Sequence, residues 1–282
     1  MLSFVRYLLA SRRYLPIAAI LVVLAFVILA ILAPVFFPWD EITRMNIRQT
    51  LARPSLTLPF GGDELGRDLF GRVVWGARVS LSVAVTSVFL AMVAGLLIGA
   101  LCGYYDGPLS GLVMRVMDAL IGFPRTLTAI ILIAILGTGL VSLLLAISLS
   151  SIPEFARLFR GPVLSLRNRD FILASRSFGS DDLWILRKHV IPNTVSIVIV
   201  QTSIALGEAI LIVAGLSFLG LGPAPPMPEW GAMIAAGRSH MQSSPHVIFA
   251  PGLSLFVMVL ACNIVGDALR DFFDPKSSRT GH

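Results

Sequence analysis

Residues 156–193 read ARLFRGPVLSLRNRDFILASRSFGSDDLWILRKHVIPN, a basic segment punctuated by Gly and Pro between two apolar runs of membrane length. Two short helices and a stop are written into it. Asp170 can cap a helix over Phe171–Phe178, and Gly179 suits the left-handed position that ends one. Ser180 can cap a second helix. Asp181 and Asp182 would then fall in its first turn and Arg187, Lys188 and His189 in its last, the order the helix dipole favours. Pro192 is expected to close that helix and Asn193 to start the next span. A connector that merely joined two spans would need none of this.

Outward from this segment the chain is apolar. Hydrophobic residues make up 56% of the 282 and charged residues 13%, with a mean hydropathy of +0.86. Soluble domains are about a quarter charged, so most of this chain belongs in lipid. A hydrocarbon core about 30 Å thick needs roughly 20 helical residues. Windows of that length fall at Ile17–Phe37, Leu81–Tyr104, Val113–Leu136, Ile197–Leu219 and Val247–Leu269. A sixth, Gly139–Phe159, is interrupted by Pro153 and Glu154. The expectation is an all-α membrane protein with six transmembrane helices. The third window carries Arg115 and Asp118 near its start and Pro124 inside it, charges that suit the cytoplasmic end of a helix.

Basic residues in short flanks set the orientation. Arg6, Arg12 and Arg13 precede the first span without an acid, and residues 154–190 hold seven basic against four acidic side chains. The stretch Gly137–Ser142 is uncharged, and Gly222–His246 has one Glu and one Arg. Six spans with both termini cytoplasmic satisfy all of this. The N-terminal apolar run exceeds a signal-peptide core and lacks a clear cleavage site, so it is expected to stay as an anchor. We expect a single membrane domain over residues 1–282, with an extracytoplasmic loop at 38–75 and a cytoplasmic coupling segment at 160–192. Trp39 and Trp230 suit the membrane interface.

Within the 38–75 loop, Asp63 can cap a helix in which Asp63–Arg67 attract and Glu64–Asp68 repel at i,i+4. Gly95, Gly99 and Gly103 form a small-residue ridge along the second span. Cys102 and Cys262 fall within spans and suggest no disulfide or metal framework.

Ala174, Ser175, Gly179, Ile191 and Pro192 stand at the spacing of the EAA loop, and the segment resembles the cytoplasmic coupling loop of ABC importer permeases. His189–Asn193 (HVIPN) is similar, more narrowly, to the dipeptide/oligopeptide and nickel subfamily. So are DELGRD at 63–68, SFLGLG at 217–222, PPMPEWGAM at 225–233 and NIVGDALRDFFDP at 263–275. Leu173 stands where the family often has Glu, and Ser175 where it often has Ala. The resemblance implies a permease subunit of an ATP-driven importer in the bacterial inner membrane, working with a second homologous permease. It also implies two cytoplasmic ATP-binding subunits and an extracytoplasmic substrate-binding protein. Peptides are the implied cargo, with nickel, glutathione or glycosides as alternatives on the same scaffold. The coupling residues would be Arg169, Asp170, Ala174, Ser175, Phe178, Gly179, Asp182, His189 and Pro192. Arg167, Arg169 and Arg176 could pair with the docked partner, and the small residues would let it approach. An amphipathic helix lying on anionic lipid is the other reading of this segment.

No phosphate-cradling G-x-x-x-x-G-K-[ST] occurs, and the only lysines are Lys188 and Lys276. The chain is therefore expected to be a non-catalytic subunit without a cofactor. His189, His240, His246 and His282 are scattered, which argues against a metal site or a serine–histidine protease. The high pI reflects cytoplasmic Arg and not a nucleic-acid patch. Glu208 lies deep in the fifth span, where a carboxylate is expensive and usually faces a wet cavity or the bundle interior. It could contact substrate, relay protons or fix helix packing with Gln201, Thr202 or Ser203. Glu208, Gln201 and Ser217 are the candidate pathway residues. Asp118 and Asp267 are expected near cytoplasmic helix ends. A proton-coupled carrier using Glu208, or a membrane scaffold without a transport role, remain the alternatives of a different class.

Overall fold

A computed structural model describes residues 14–273, and Arg6, Arg12, Arg13, Pro275, Lys276 and His282 lie outside it. The long helices are α1 (Tyr14–Phe36), α3 (Leu69–Tyr104), α6 (Leu140–Leu166), α9 (Ile191–Phe218) and α11 (His246–Phe273). Between them lie shorter ones: α2 (Trp39–Thr43), α4 (Pro108–Ile121), α5 (Arg125–Leu136), α7 (Asp170–Ser177), α8 (Asp182–Ile185) and α10 (Trp230–Gly237). Among the described residues the only β pairing is an isolated bridge between Gly62 and Asp68.

Five helices are long and apolar enough to cross a membrane, and α4 with α5 make a sixth span if taken as one. That pair corrects the expected continuous third window at Val113–Leu136. The helix breaks at Gly122-Phe123-Pro124 and bends by 97°. Proline fixes φ and lacks an amide donor, so Pro124 ends one ladder and starts the next. Helix α5 has only 12 residues, about 18 Å at 1.5 Å per residue, too short to span alone. By contrast, Pro153 does not interrupt α6, which runs unbroken to Leu166.

Helix α3 has 36 residues, about 54 Å, and begins at Leu69, well before the apolar window at Leu81. Asp68 caps it by accepting from the Phe70 and Gly71 amides at 3.1 and 3.0 Å. Asp63 is therefore not the helix cap. It closes a turn, accepting from Leu65 and Arg67 amides at 2.9 Å. Because 63–68 is not helical, the expected Glu64–Asp68 clash does not arise, and Glu64 pairs with Arg67 at 2.8 Å.

The most extensive packing joins α3 to α6. Lipid tails are as apolar as Leu, so close van der Waals contact has to hold such helices together. The glycine ridge provides it. A Cβ at Gly95 would stand 2.3 Å from the Phe155 Cβ, and one at Gly99 2.5 Å from the Ala156 carbonyl oxygen. Around this seam Ala84, Ala91, Ala146, Ile147, Phe159, Ile210 and Trp230 are buried. Trp230 is thus a core residue and not an interface anchor. It is fully buried, meets Phe26 edge-on at 5.7 Å and donates Nε1 to the Val73 carbonyl at 3.0 Å. Its polar tip finds a partner near the start of α3, which makes burial there inexpensive.

Candidate functional site

Three regions carry most of the polar side chains. The first is the 170–190 segment. Helix α7 starts at Asp170 with Arg169 as cap residue, so Asp170 lies inside the helix and does not cap it. Gly179 has φ +81°, and its amide and that of Ser180 donate to the Arg176 and Ser175 carbonyls at 3.0 and 3.1 Å. This pair of bonds, with the left-handed residue after the last turn, is a helix stop that favours glycine. The next cap residue is Asp181; Ser180 instead accepts a hydrogen bond from the Ser175 hydroxyl at 3.0 Å.

Two boundaries differ from expectation. Pro192 does not close the second helix, and Asn193 does not start a span. From Asp182 to Phe218 the chain is one 37-residue helical run. A π-helical turn at Leu186–Val190 lets it pass Pro192, whose missing amide falls where few donors are needed. Asn193 bonds back to the His189 carbonyl at 2.6 Å.

This segment is pinned to the bundle. Ile172, Ile185, Leu186 and Val190 are buried against Ala100, Tyr104 and Val163. The Tyr104 hydroxyl donates to Asp182 at 2.6 Å and accepts from Arg176 at 2.8 Å. Arg160 and Arg167 pair with Asp106 at 3.7 and 3.4 Å. His189 sits edge-on to Phe171 and Trp184. On the far side Ala174 and Gly179 are open, and Phe178 is 89% exposed. Arg169, Asp170 and Pro192 are exposed as well.

The second region is an intramembrane charge cluster. Arg125, the first residue of α5, pairs with Glu154 of α6 at 2.9 Å and with Glu208 of α9 at 2.5 Å. Sequence reasoning found Glu208 but passed over Arg125, which the break at Pro124 makes the first residue of α5 and brings against both acids. The three candidate pathway residues are not brought together. Glu208 lines a cavity of about 520 Å³ with Arg125, Glu154 and Ser150. Gln201 lines another with Arg270, and buried Ser217 faces a third on the opposite side near Asp63 and Arg72. Packing of Glu208 through Thr202 or Ser203 is not seen; the Ser203 hydroxyl bonds to the Ile199 carbonyl at 2.9 Å. Asp118 pairs with Arg157 at 3.5 Å.

The third region joins two loops over the N-terminal end of α3. Buried Asp63 pairs with Arg67 at 2.6 Å and Arg72 at 3.2 Å. Arg72 also donates to the carbonyls of Ile42 and Pro226 at 3.3 and 3.2 Å, tying the 38–75 loop to the Pro-rich one. Glu229 is fully buried, accepting from Ser80 at 2.9 Å and the Ala232 amide at 3.0 Å. Burial pushes its carboxyl pKa up, against the lowering effect of these bonds. No group of three or more His, Cys, Asp or Glu side chains fit to hold a metal occurs among the described residues.

Residues 95–279 match the family described as binding-protein-dependent transport system inner membrane component. The chain belongs to that family. It is an ABC importer permease of the inner membrane, of the dipeptide/oligopeptide/nickel type. Glutathione transport system permease protein GsiD of Pectobacterium atrosepticum is 42% identical over 265 residues, covering 94% of this chain and 88% of that protein. The Escherichia coli protein of the same name is 43% identical over the same coverage. Among solved structures, an inward-facing form of the MetNI methionine ABC transporter aligns over 73% of this chain and 98% of that one. Its TM-score is 0.58 at 20% identity, a likeness of fold alone. Its relatives are permease components of ABC transporters, which are not themselves catalytic.

Proposed function

We propose that this permease forms one half of a translocation pathway for short peptides or glutathione, with a second homologous permease completing it. Both termini would lie in the cytoplasm, and α7 with its flanks would receive the stroke of two cytoplasmic ATP-binding subunits. A binding protein outside would deliver the cargo. ATP hydrolysis would occur in the partner chains.

The observation that carries this reading is the two-sidedness of the 170–190 segment. One side is locked to α3 and α6 through Ile172, Tyr104 and Arg176, and the other presents Phe178, Ala174 and Gly179 outward. An interfacial helix on lipid would not need a rigid link to the inner end of a 36-residue span. The glutathione relatives support that cargo as well as a peptide one, since glutathione is itself a tripeptide. The test is reconstitution of the affinity-purified assembly in proteoliposomes. ATP-binding chains should co-purify, and labelled glutathione or tri-alanine should accumulate only with ATP. Accumulation driven by a proton gradient without ATP would instead favour a carrier.

A further inference from the structure

The Arg125–Glu154–Glu208 cluster carries more charge than it needs to balance itself. One guanidinium faces two carboxylates, each joined through Oε2. The second oxygen of each carboxylate makes no hydrogen bond among the described residues. Both acids are about half exposed, at 52% and 50%, and both line the 520 Å³ cavity.

The depth of the cluster is set by three independent helices. Arg125 lies 11 residues before the end of α5, Glu154 lies 14 after the start of α6, and Glu208 lies 10 before the end of α9. At 1.5 Å per residue these put the groups about 15–21 Å below the external helix ends, near the middle of a 30 Å core. Charges there face a cavity or a partner and not lipid. The broken third span makes the room, because α4 turns aside at 97° and leaves Gly122, Phe123 and Pro124 on the wall. Even with the positive end of α5 beside them, two carboxylates outweigh one arginine.

We infer that this cavity is a binding site for the α-ammonium group of the passing cargo, held between the free oxygens of Glu154 and Glu208. Arg125 is then a positioning residue that holds the two acids a fixed distance apart. An ammonium supplies three donors and no acceptor, which matches the two carboxylate oxygens that Arg125 leaves unbonded. A carboxylate entering the same site would meet like charge. The inference rests on the permease reading above and names the chemical group that its pathway selects.

The test uses the reconstituted assembly with its partner chains. A water-soluble carbodiimide, which joins a bound amine to an adjacent carboxylate as an amide, is added with glutathione or with N-acetylglutathione. Peptide mass spectrometry should find glutathione on Glu154 or Glu208 and no adduct from the acetylated form. Glu154→Gln with Glu208→Gln should lower the maximal ATP-driven glutathione uptake at least about tenfold, the effect of losing charge-assisted hydrogen bonds. The half-saturating concentration, governed by the binding protein, should move little. Glu208→Asp should retain most of the rate, since charge and not side-chain length is at issue. Absence of adduct at both acids, or unchanged maximal uptake in the double variant, would overturn the inference while leaving the permease reading intact. Loss of ATP-driven uptake in the unaltered assembly would instead strike the permease reading on which it rests.

Discussion

Tyr104, the last residue of α3, donates its hydroxyl to Asp182 at 2.6 Å while accepting from Arg176 at 2.8 Å. One phenol therefore joins the C-terminal end of α3, the short α7 and the start of the helical run Asp182–Phe218. The Arg176 guanidinium also lies 5.4 Å from the centre of the Tyr104 ring. On the proposed coupling role, displacement of α7 would carry both helices with it. Tyr104→Phe keeps the ring and removes both hydrogen bonds, at about 1 kcal/mol each. The expected result is a chain that inserts and purifies normally but moves several-fold less cargo per ATP hydrolysed. A wild-type ratio would show that Tyr104 transmits nothing.

The α3–α6 seam makes a prediction about folding alone. At Gly99 an added side chain would meet the Ala156 carbonyl and the Phe159 Cβ at 2.5 and 2.9 Å, and backbone cannot step aside cheaply. Gly99→Leu should give aggregated or degraded protein in detergent size-exclusion profiles. Gly111→Leu is the control, because nothing lies within 4 Å of a Cβ there. Equal profiles for the two variants would remove the ridge from the account of stability.

The spans, their approximate limits and the helix stop at Gly179 were legible because each rests on local chemistry: apolar runs and a left-handed glycine. What failed needed tertiary information. Pro153 and Pro124 look alike in sequence, yet one sits within an unbroken helix and the other stands at the break between two. Pro192 announced a boundary that a π-helical turn carries the chain past. Trp230 read as an interface residue because nothing local shows that Val73 offers its indole a carbonyl. The Arg125–Glu208 pair spans 83 positions, and no periodicity reports a contact of that range.

Glu229 predicts a pH dependence. Burial raises its folded-state pKa above that of free Glu. From the free carboxylate's range, about 4.3, upward through that raised value, the folded chain binds more protons than the unfolded one. Stability therefore falls as pH rises through that window. The thermal midpoint of the detergent-solubilised protein should decline over this range, and Glu229→Gln, which has no charge to bury, should flatten the slope. Parallel slopes for the two proteins would assign the decline to other groups.

Orientation can be checked without function. Reporter fusions at residues 56, 140 and 235 should lie outside, and fusions at 108 and 175 inside. The 108 site matters most, since α4 and α5 meet at 97° and only the two together are long enough to cross. A cytoplasmic signal at 235 would require a span between 175 and that site to be lost.

Residues 170–190 are proposed to pass the ATPase stroke to the spans, and Gly179→Leu probes this role most directly. No atom lies within 4 Å of a Cβ at Gly179, so within the chain the substitution costs only left-handed backbone strain, about 1 kcal/mol. Outward, the new side chain projects from the face that carries Phe178 and Ala174. ATP-driven uptake by the reconstituted assembly should fall to background while the chain remains inserted at wild-type levels. Uptake at the wild-type rate from Gly179→Leu would contradict the account.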